Sequence, residues 1–112
     1  MAIEKLAYEL DGDMYGITFD LDTNMLERDY SLSRPKAYGE IERVLLDIGF
    51  THIQYSVYFC KENDGSASFI IKVAQALASL DFAPAIRDLQ GFRVESWSDM
   101  TESVKDLHEA LR

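Results

Sequence analysis

The sequence has one cysteine, two prolines and no long hydrophobic run among its 112 residues. Cys60 has no second cysteine in the chain, so an internal disulfide is excluded and a reducing cytoplasm is the expected compartment. No apolar stretch approaches the roughly 18–20 residues that a membrane helix needs. The first 13 residues carry too many charges for a secretory signal. We therefore expect a cytoplasmic protein with no membrane partner.

Positive charge is also scarce. Eleven lysines and arginines stand against 20 aspartates and glutamates, which leaves a net charge of −9. Proteins that bind nucleic acids usually attract phosphates with a basic patch. The composition thus predicts weak, salt-sensitive binding to nucleic acid, unless a partner chain or a metal ion supplies positive charge.

What the chain does have is apolar surface, with 47% hydrophobic and 12% aromatic residues. This is enough for one packed core, and the length fits one domain. We expect that domain over residues 14–112, after an N-terminal extension over residues 1–13. The segment MYGITFDL alternates as a strand does, with Tyr15, Ile17, Phe19 and Leu21 on the face towards the core.

Further along, residues 22–33 are polar and are interpreted as a loop. A helix is then expected, with Ser33 as its cap and Gly49 at its end. The segment FTHIQYSVYFCKE predicts two strands joined by a tight turn at Tyr55 and Ser56. A second helix is predicted over 66–80, a last strand in LQGFRVESW with a bulge or bend at Gly91, and an amphipathic C-terminal helix after SDMTE.

This order predicts an α+β protein with the ferredoxin-like βαββαβ arrangement, plus a short C-terminal helix. Such a fold has a four-stranded antiparallel sheet with two helices on one face. The other face must contact water or another subunit, and its apolar side chains favour a homodimer.

Two carboxylates end the first strand, and they are the first candidates for chemistry. Asp20 falls on the face opposite Phe19 and Leu21, and Asp22 follows two residues later. Carboxylates this close repel each other unless a cation or a shared proton lies between them. The alternative is that an aspartate at a strand end simply bonds nearby backbone amides, and these two residues alone favour that alternative.

Other polar residues are weaker candidates. Ser56 at the turn can bind a phosphate oxygen or a 2′-hydroxyl group, or it is only a turn serine. Arg87 and Asp88 precede the last strand, and only one of them can share a face with Asp20. Tyr58 can stack on an unpaired base, although tyrosines in strands more often pack in a core. His52 is expected to be solvated.

Three segments together, MYGITFDLD, GFTHIQYSVY and IRDLQGFRVESWSDMTE, resemble the virulence-associated protein D (VapD) family. The resemblance runs from Met14 to about Val104. It implies a ferredoxin-like homodimer, related to the small nuclease-like subunits of CRISPR adaptation complexes. It also implies endoribonuclease activity, and in some members the role of a toxin with an antitoxin protein as partner.

The resemblance also implies site residues. The first-strand aspartate of the family matches Asp20, and its serine and later aspartate match Ser56 and Asp88, which makes these three the expected catalytic residues. Asp20 is then a general base, or it holds Mg²⁺, while Arg87 and Tyr58 contact the substrate. Two departures stand beside this match: Tyr55 replaces a glycine and Gln90 replaces an arginine.

Two functions follow from this sequence. The leading hypothesis is a cytoplasmic, dimeric endoribonuclease that cleaves single-stranded RNA at Asp20. The alternative is an adaptor of the same fold that binds nucleic acid or protein without catalysis, which the acidic composition favours.

Overall fold

The first strand forms where the alternation predicts it. In a computed structural model that describes residues 14–61 and 65–112, strand β1 spans Met14–Leu21. Ile17, Phe19 and Leu21 are buried in the main core. The predicted extension over residues 1–13 lies outside the described residues.

The segment interpreted as a loop contains a helix instead. Helix α1 spans Thr23–Tyr30 and begins at Asp22, whose side chain accepts a hydrogen bond from the Met25 amide at 3.0 Å. This cap satisfies an amide that the first helical turn leaves unpaired. The loop prediction was wrong because one buried residue, Leu26, anchors a helix with few apolar side chains.

The other helices match their predictions closely. Helix α2 spans Arg34–Ile48, with Ser33 as its cap and Gly49 after its last turn. Helix α3 spans Ala67–Ala78 and is capped by Ser66. Helix α4 spans Thr101–Ala110 near the C-terminus. None of the described helices is both long enough and apolar enough to cross a membrane.

The four strands form one antiparallel sheet. Strand β2 spans Phe50–Gln54, β3 spans Val57–Cys60 and β4 spans Ile86–Val94, and the spatial order is β2-β3-β1-β4. A short 3₁₀ helix, Ala83–Ala85, leads into β4. The predicted ferredoxin-like α+β fold is confirmed.

The main core lies between the sheet and the helices. Ala37, Ile41 and Leu45 of α2, and Phe69, Val73 and Leu77 of α3, pack there against the inner face of the sheet. Each set of three residues follows helical spacing, so one face of each helix is buried. This burial fixes the position of α2 against β1 and the β2–β3 hairpin.

The other face of the sheet is only partly open. Met14, Phe59 and Val94 form a second buried cluster, and Trp97 packs edge-on against Phe59. Phe92 is more exposed on this face, opposite Gly16. The C-terminal segment therefore covers one end of a face that was predicted to be uncovered.

The last strand contains a bulge, but not at Gly91. Between the pairs Thr18–Gln90 and Asp20–Arg87, strand β4 carries one residue more than β1. Asp88 lies at this point with φ of +52°. The left-handed conformation is typical of such bulges, and aspartate tolerates it better than most residues. Gly91 instead lies in regular pairing with Ile17, where a side chain would collide with Tyr15.

Helix α4 has an apolar side that no described residue buries. Met100, Val104, Leu107 and Leu111 follow helical spacing, as the sequence predicts, and all four are exposed. The helix forms as predicted, and its apolar side stays in contact with solvent in the single chain.

Candidate active site

A groove of about 660 Å³ opens at the end of the sheet where β1 runs into α1. Its walls are the end of β1, the first half of α2 and the β2–β3 turn. The polar and aromatic side chains that line it are Asp20, Arg34, Tyr38, Glu42, His52, Tyr55, Ser56 and Tyr58. The groove is wide enough for a nucleotide-sized ligand and open to solvent.

Asp20 presents a half-exposed carboxylate to this groove. One oxygen accepts a hydrogen bond from the Leu21 amide at 2.8 Å, and the other lies 3.6 Å from an Nη of Arg87. The two side chains are 51% and 57% exposed. An ion pair that is this exposed contributes at most about 1 kcal/mol to the free energy of folding. Its main effect is to orient the Asp20 carboxylate.

The bulge in β4 sets up this ion pair. Because the extra residue lies at Asp88, Arg87 is the residue that pairs with Asp20 across the two strands. Arg87 therefore shares the face of Asp20, while Asp88 lies exposed at the bulge and is absent from the groove lining. The structure brings Arg87 to Asp20 and leaves Asp88 apart from the groove.

The β2–β3 turn contributes Tyr55 and Ser56. Gln54 pairs with Val57, so these two residues form the whole connection. Tyr55 has φ of +44°, in the left-handed region, and is 87% exposed. Ser56 is half-buried and lines the groove, as does Asp20. Tyr55 thus has the positive φ that glycine adopts most easily.

Histidine 52 was expected to be solvated, but it has three close neighbours. Its Nδ1 lies 2.7 Å from Oε1 of Glu42, and its Nε2 contacts the carbonyl oxygen of Tyr55. The ring stacks on Tyr58, with 4.4 Å between the centroids and 10° between the planes. His52 therefore joins the sheet, helix α2 and the hairpin turn.

Tyr58 lines the groove but is itself buried. It is 1% exposed and packs near Phe19 as well as His52, so it offers no open ring face for a base. Burial, with a smaller contribution from the charge of Glu42, raises the pKa of Tyr58 to about 12. Its hydroxyl therefore stays protonated at neutral pH. Tyr55 is the exposed tyrosine of the groove and can stack on a base instead.

Arg34 adds a second cation at the opposite wall. It is the first residue of α2, and its guanidinium lies 5.2 Å from the ring centre of Tyr38. This geometry is a cation–π contact, and the charge remains exposed. Arg34 and Arg87 together give an acidic chain local positive charge near Asp20.

Asp20 is the groove carboxylate that was predicted to hold a magnesium ion. Both oxygens of Asp20 have partners, and one carboxylate oxygen of Glu42 contacts His52. Within residues 14–61 and 65–112, no three His, Cys, Asp or Glu side chains are grouped as a metal site. Magnesium prefers an octahedral set of oxygen ligands. A magnesium ion at Asp20 would share a carboxylate oxygen with the Leu21 amide or with Arg87, and it would take its other ligands from water or a substrate phosphate.

The groove contains residues that were predicted and others that were missed. Asp20, Ser56 and Tyr58 line it together, whereas Glu42, Tyr38 and Arg34 were not predicted. A signal for Glu42 exists, because it lies on the same side of α2 as Tyr38, four residues earlier. The sequence alone did not predict the contact between α2 and the β2–β3 hairpin, which Glu42 and His52 form.

The chain is similar to known proteins over most of its length. Residues 13–82 match the family model of the CRISPR associated protein Cas2, and this range contains the whole groove lining. Endoribonuclease VapD of Dichelobacter nodosus is 39% identical over 93 residues, which are 82% of this chain and 98% of that protein.

Two further relatives have the same name. The Endoribonuclease VapD homolog of Neisseria gonorrhoeae is 36% identical over 92 residues, covering 82% of this chain and 99% of that protein. Endoribonuclease VapD of Helicobacter pylori (strain ATCC 700392 / 26695) is 33% identical over 93 residues, which are 82% of this chain and 99% of that protein.

Proposed function

The chain belongs to the VapD family and has the fold of the CRISPR associated protein Cas2 family, and on this premise we propose that it is an endoribonuclease that cleaves single-stranded RNA. The observation that carries the proposal is the half-exposed carboxylate of Asp20, which lines the groove and lies 3.6 Å from the guanidinium of Arg87 just outside the lining. A carboxylate and a guanidinium at this separation supply a proton acceptor and a phosphate contact.

The proposed reaction uses the 2′-hydroxyl group of RNA as nucleophile. Asp20 accepts the 2′-hydroxyl proton while the 2′-oxygen forms a bond to phosphorus. The bond from phosphorus to the 5′-oxygen then breaks and the leaving oxygen takes a proton from water, while the resulting hydroxide takes the proton from Asp20 and restores its carboxylate. The products are a 2′,3′-cyclic phosphate and a free 5′-hydroxyl group.

Arg87 and Ser56 have supporting roles in this proposal. A guanidinium has five N–H donors, so Arg87 can contact Asp20 and a phosphate oxygen at once. Its charge stabilises the phosphate as negative charge develops in the transition state. Ser56, on the adjacent wall, donates a hydrogen bond to the same phosphate group.

The role of Mg²⁺ remains a prediction, and no step above depends on the ion. Since Asp20 already has two partners, we expect cleavage to continue in EDTA. Loss of cleavage in EDTA, with recovery on adding Mg²⁺, would contradict this expectation.

We also propose that the working protein is a homodimer. Phe92 and Leu89 of β4 are exposed, as is the apolar side of α4, and a second copy would bury both surfaces. Light scattering during size-exclusion chromatography should give twice the mass of 12.8 kDa. A mass of one chain at micromolar concentration would contradict this part of the proposal.

The relation to toxins leads to a further proposal. If the chain is the toxin of a toxin–antitoxin pair, then its expression should slow cell growth, and a co-expressed antitoxin protein should restore growth. Growth equal to that of cells expressing an inactive Asp20→Asn variant would contradict a toxin role.

The test of the main proposal is cleavage of a labelled single-stranded RNA by purified protein. Asp20→Asn removes the proton acceptor but keeps the shape of the side chain, so we expect a loss of about 10²–10⁴-fold. Asp106→Asn is the matched control, because it makes the same change on exposed helix α4. Equal cleavage by wild type and Asp20→Asn would overturn the proposal.

The adaptor hypothesis remains the second candidate, because the net charge of −9 is unusual for a protein that acts on RNA. An adaptor would bind RNA or protein and cleave neither. A preparation that binds single-stranded RNA at low salt, and leaves it intact in both EDTA and Mg²⁺, would favour it.

A further inference from the structure

The contacts of His52 require an unusual protonation state. Its two ring nitrogens face the carboxylate of Glu42 and the carbonyl oxygen of Tyr55. Both of these oxygens can only accept hydrogen bonds, and a neutral imidazole has a single N–H donor. Both contacts are therefore satisfied only when the ring carries two protons. The contact with Glu42 is short, with 2.7 Å between Nδ1 and Oε1.

The residue held by Nε2 has an unfavourable backbone. Tyr55 lies at φ of +44°, where a residue with a Cβ atom is crowded and glycine is favoured. Its side chain is 87% exposed, so packing of the ring does little to hold this conformation. Contacts from other residues must therefore stabilise the conformation of Tyr55. The hydrogen bond from His52 to the Tyr55 carbonyl oxygen is in a position to do so.

The anchor of this arrangement is rigid. Glu42 lies in the middle of α2, whose inner side is buried, and the His52 ring rests on buried Tyr58. The turn is thus connected through His52 to two packed parts of the molecule. Ser56 is the next residue after Tyr55, so the same contact determines where the Ser56 hydroxyl lies in the groove.

We propose that doubly protonated His52 is a positioning residue, which holds the Tyr55–Ser56 turn in its left-handed conformation and so presents Ser56 to the groove. His52 acts through the turn and not on the substrate. The effect on RNA cleavage depends on the proposed function, whereas the effect on the turn does not.

Other charged and titratable groups surround this contact. Glu42 and Arg34 face it from α2, Asp20 from β1, and the hydroxyl groups of Tyr38 and Tyr58 line the same groove. Glu42 is the group in direct contact. Without one of its ring protons, His52 would face one of these two acceptors with a lone pair, and the turn should then loosen.

Four proteins test the proposal: wild type, His52→Phe, Tyr55→Gly and the double variant. Phenylalanine keeps a ring on Tyr58 but has no N–H donor. Amide hydrogen exchange of Val57, which pairs with Gln54 across the turn, reports on the turn independently of RNA cleavage. We expect His52→Phe to accelerate this exchange about tenfold, which corresponds to one hydrogen bond from a charged group. RNA cleavage should fall by a similar factor.

Tyr55→Gly provides the rescue. Glycine adopts the positive φ freely, so the turn no longer needs His52. In the Tyr55→Gly background, we expect His52→Phe to change exchange and cleavage by less than about threefold, because the strain has been removed. Acceleration of exchange by His52→Phe that is undiminished in the Tyr55→Gly background, or unchanged exchange in His52→Phe alone, would overturn the proposal.

A measurement on the wild-type protein tests the proposal without any substitution that could disturb folding. Nitrogen-15 NMR of the His52 ring should show two proton-bearing nitrogens while the turn is protected, and the loss of one proton should coincide with faster exchange at the Val57 amide. Loss of that proton with no change in exchange would overturn the proposal. If the turn responds as expected and wild type cleaves no RNA, the positioning role stands and the endoribonuclease proposal fails.

Discussion

Asp20 and Arg87 lie opposite each other on neighbouring antiparallel strands, with 3.6 Å between a carboxylate oxygen and an Nη nitrogen. The extra residue at Asp88 gives β4 this register. Without it, a different residue of β4 would face Asp20, since each shift by one residue turns the strand's side chains to the other face. The bulge thus links a backbone irregularity to the charge beside the proposed general base.

Replacing Arg87 should weaken catalysis more than stability. Arg87→Gln removes the cation beside the phosphate, so we expect kcat/KM to fall by about ten- to a hundredfold. The free energy of unfolding should change by less than about 1 kcal/mol, because the ion pair is exposed. Arg43→Gln, on the exposed side of α2, is the matched control. Undiminished kcat/KM in Arg87→Gln would remove Arg87 from the mechanism.

Asp22 and Asp20 should behave differently on substitution. Asp22 caps α1, so Asp22→Ala should lower the free energy of unfolding by about 0.5–2 kcal/mol and leave RNA cleavage by the folded protein unchanged. Ser33→Ala, which removes the cap of α2, should have the same pattern. Urea denaturation and the cleavage assay measure the two effects. Loss of cleavage in Asp22→Ala at unchanged stability would place Asp22 in the site.

Asp88 is expected to act through its backbone. Since φ is +52°, Asp88→Gly should keep the bulge, whereas Asp88→Ala should be less stable than Asp88→Gly by about 1 kcal/mol. Denaturant unfolding compares the two variants. Asp88→Gly should also retain RNA cleavage. If it keeps its stability and loses cleavage, then the carboxylate takes part in the reaction, as the resemblance to the family implies.

The raised pKa of Tyr58 predicts that the folded protein loses stability at alkaline pH. Its pKa is about 12 in the folded protein and about 10 in the unfolded chain. The folded state therefore holds the proton more tightly, and its stabilising effect is complete below pH 10. As pH rises from 10 to 12, we expect a loss of about 2–3 kcal/mol in the free energy of unfolding.

Tyr58→Phe should reduce this alkaline loss, because phenylalanine has no proton to release. Tyr55→Phe is the matched control, as Tyr55 is exposed. Urea denaturation at pH 8, about 10 and about 11 measures the difference. An equal slope of stability against pH in wild type and Tyr58→Phe would contradict the prediction.

Much of the fold could be predicted because its signals are local. The alternation in β1 and the caps at Ser33 and Ser66 each act within a few residues. Helix α1 was missed because it buries only Leu26, which leaves its apolar periodicity too weak to recognise. The bulge was placed at Gly91 on the basis of residue type, although the strand pairing puts it at Asp88.

The candidate site could be predicted only in part. Asp20 was predicted on the face opposite the core, and it lies beside Arg87 on that face. His52 is exposed, as expected, but its contact with Glu42 was not predicted because Glu42 is ten residues away on another element. Tyr58 was expected to contact substrate, but stacking under His52 buries it.

The sequence by itself determined the four strands of the sheet, helices α2, α3 and α4, their order and the face on which Asp20 lies. These depend on side-chain periodicity and capping, which operate over one or two turns of chain. Only the tertiary structure decided which charges meet: Arg87 with Asp20 through the register of two strands, and His52 with Glu42 through the packing of α2 on the hairpin. Contacts of this kind depend on distances between elements, and a linear pattern contains no such distances.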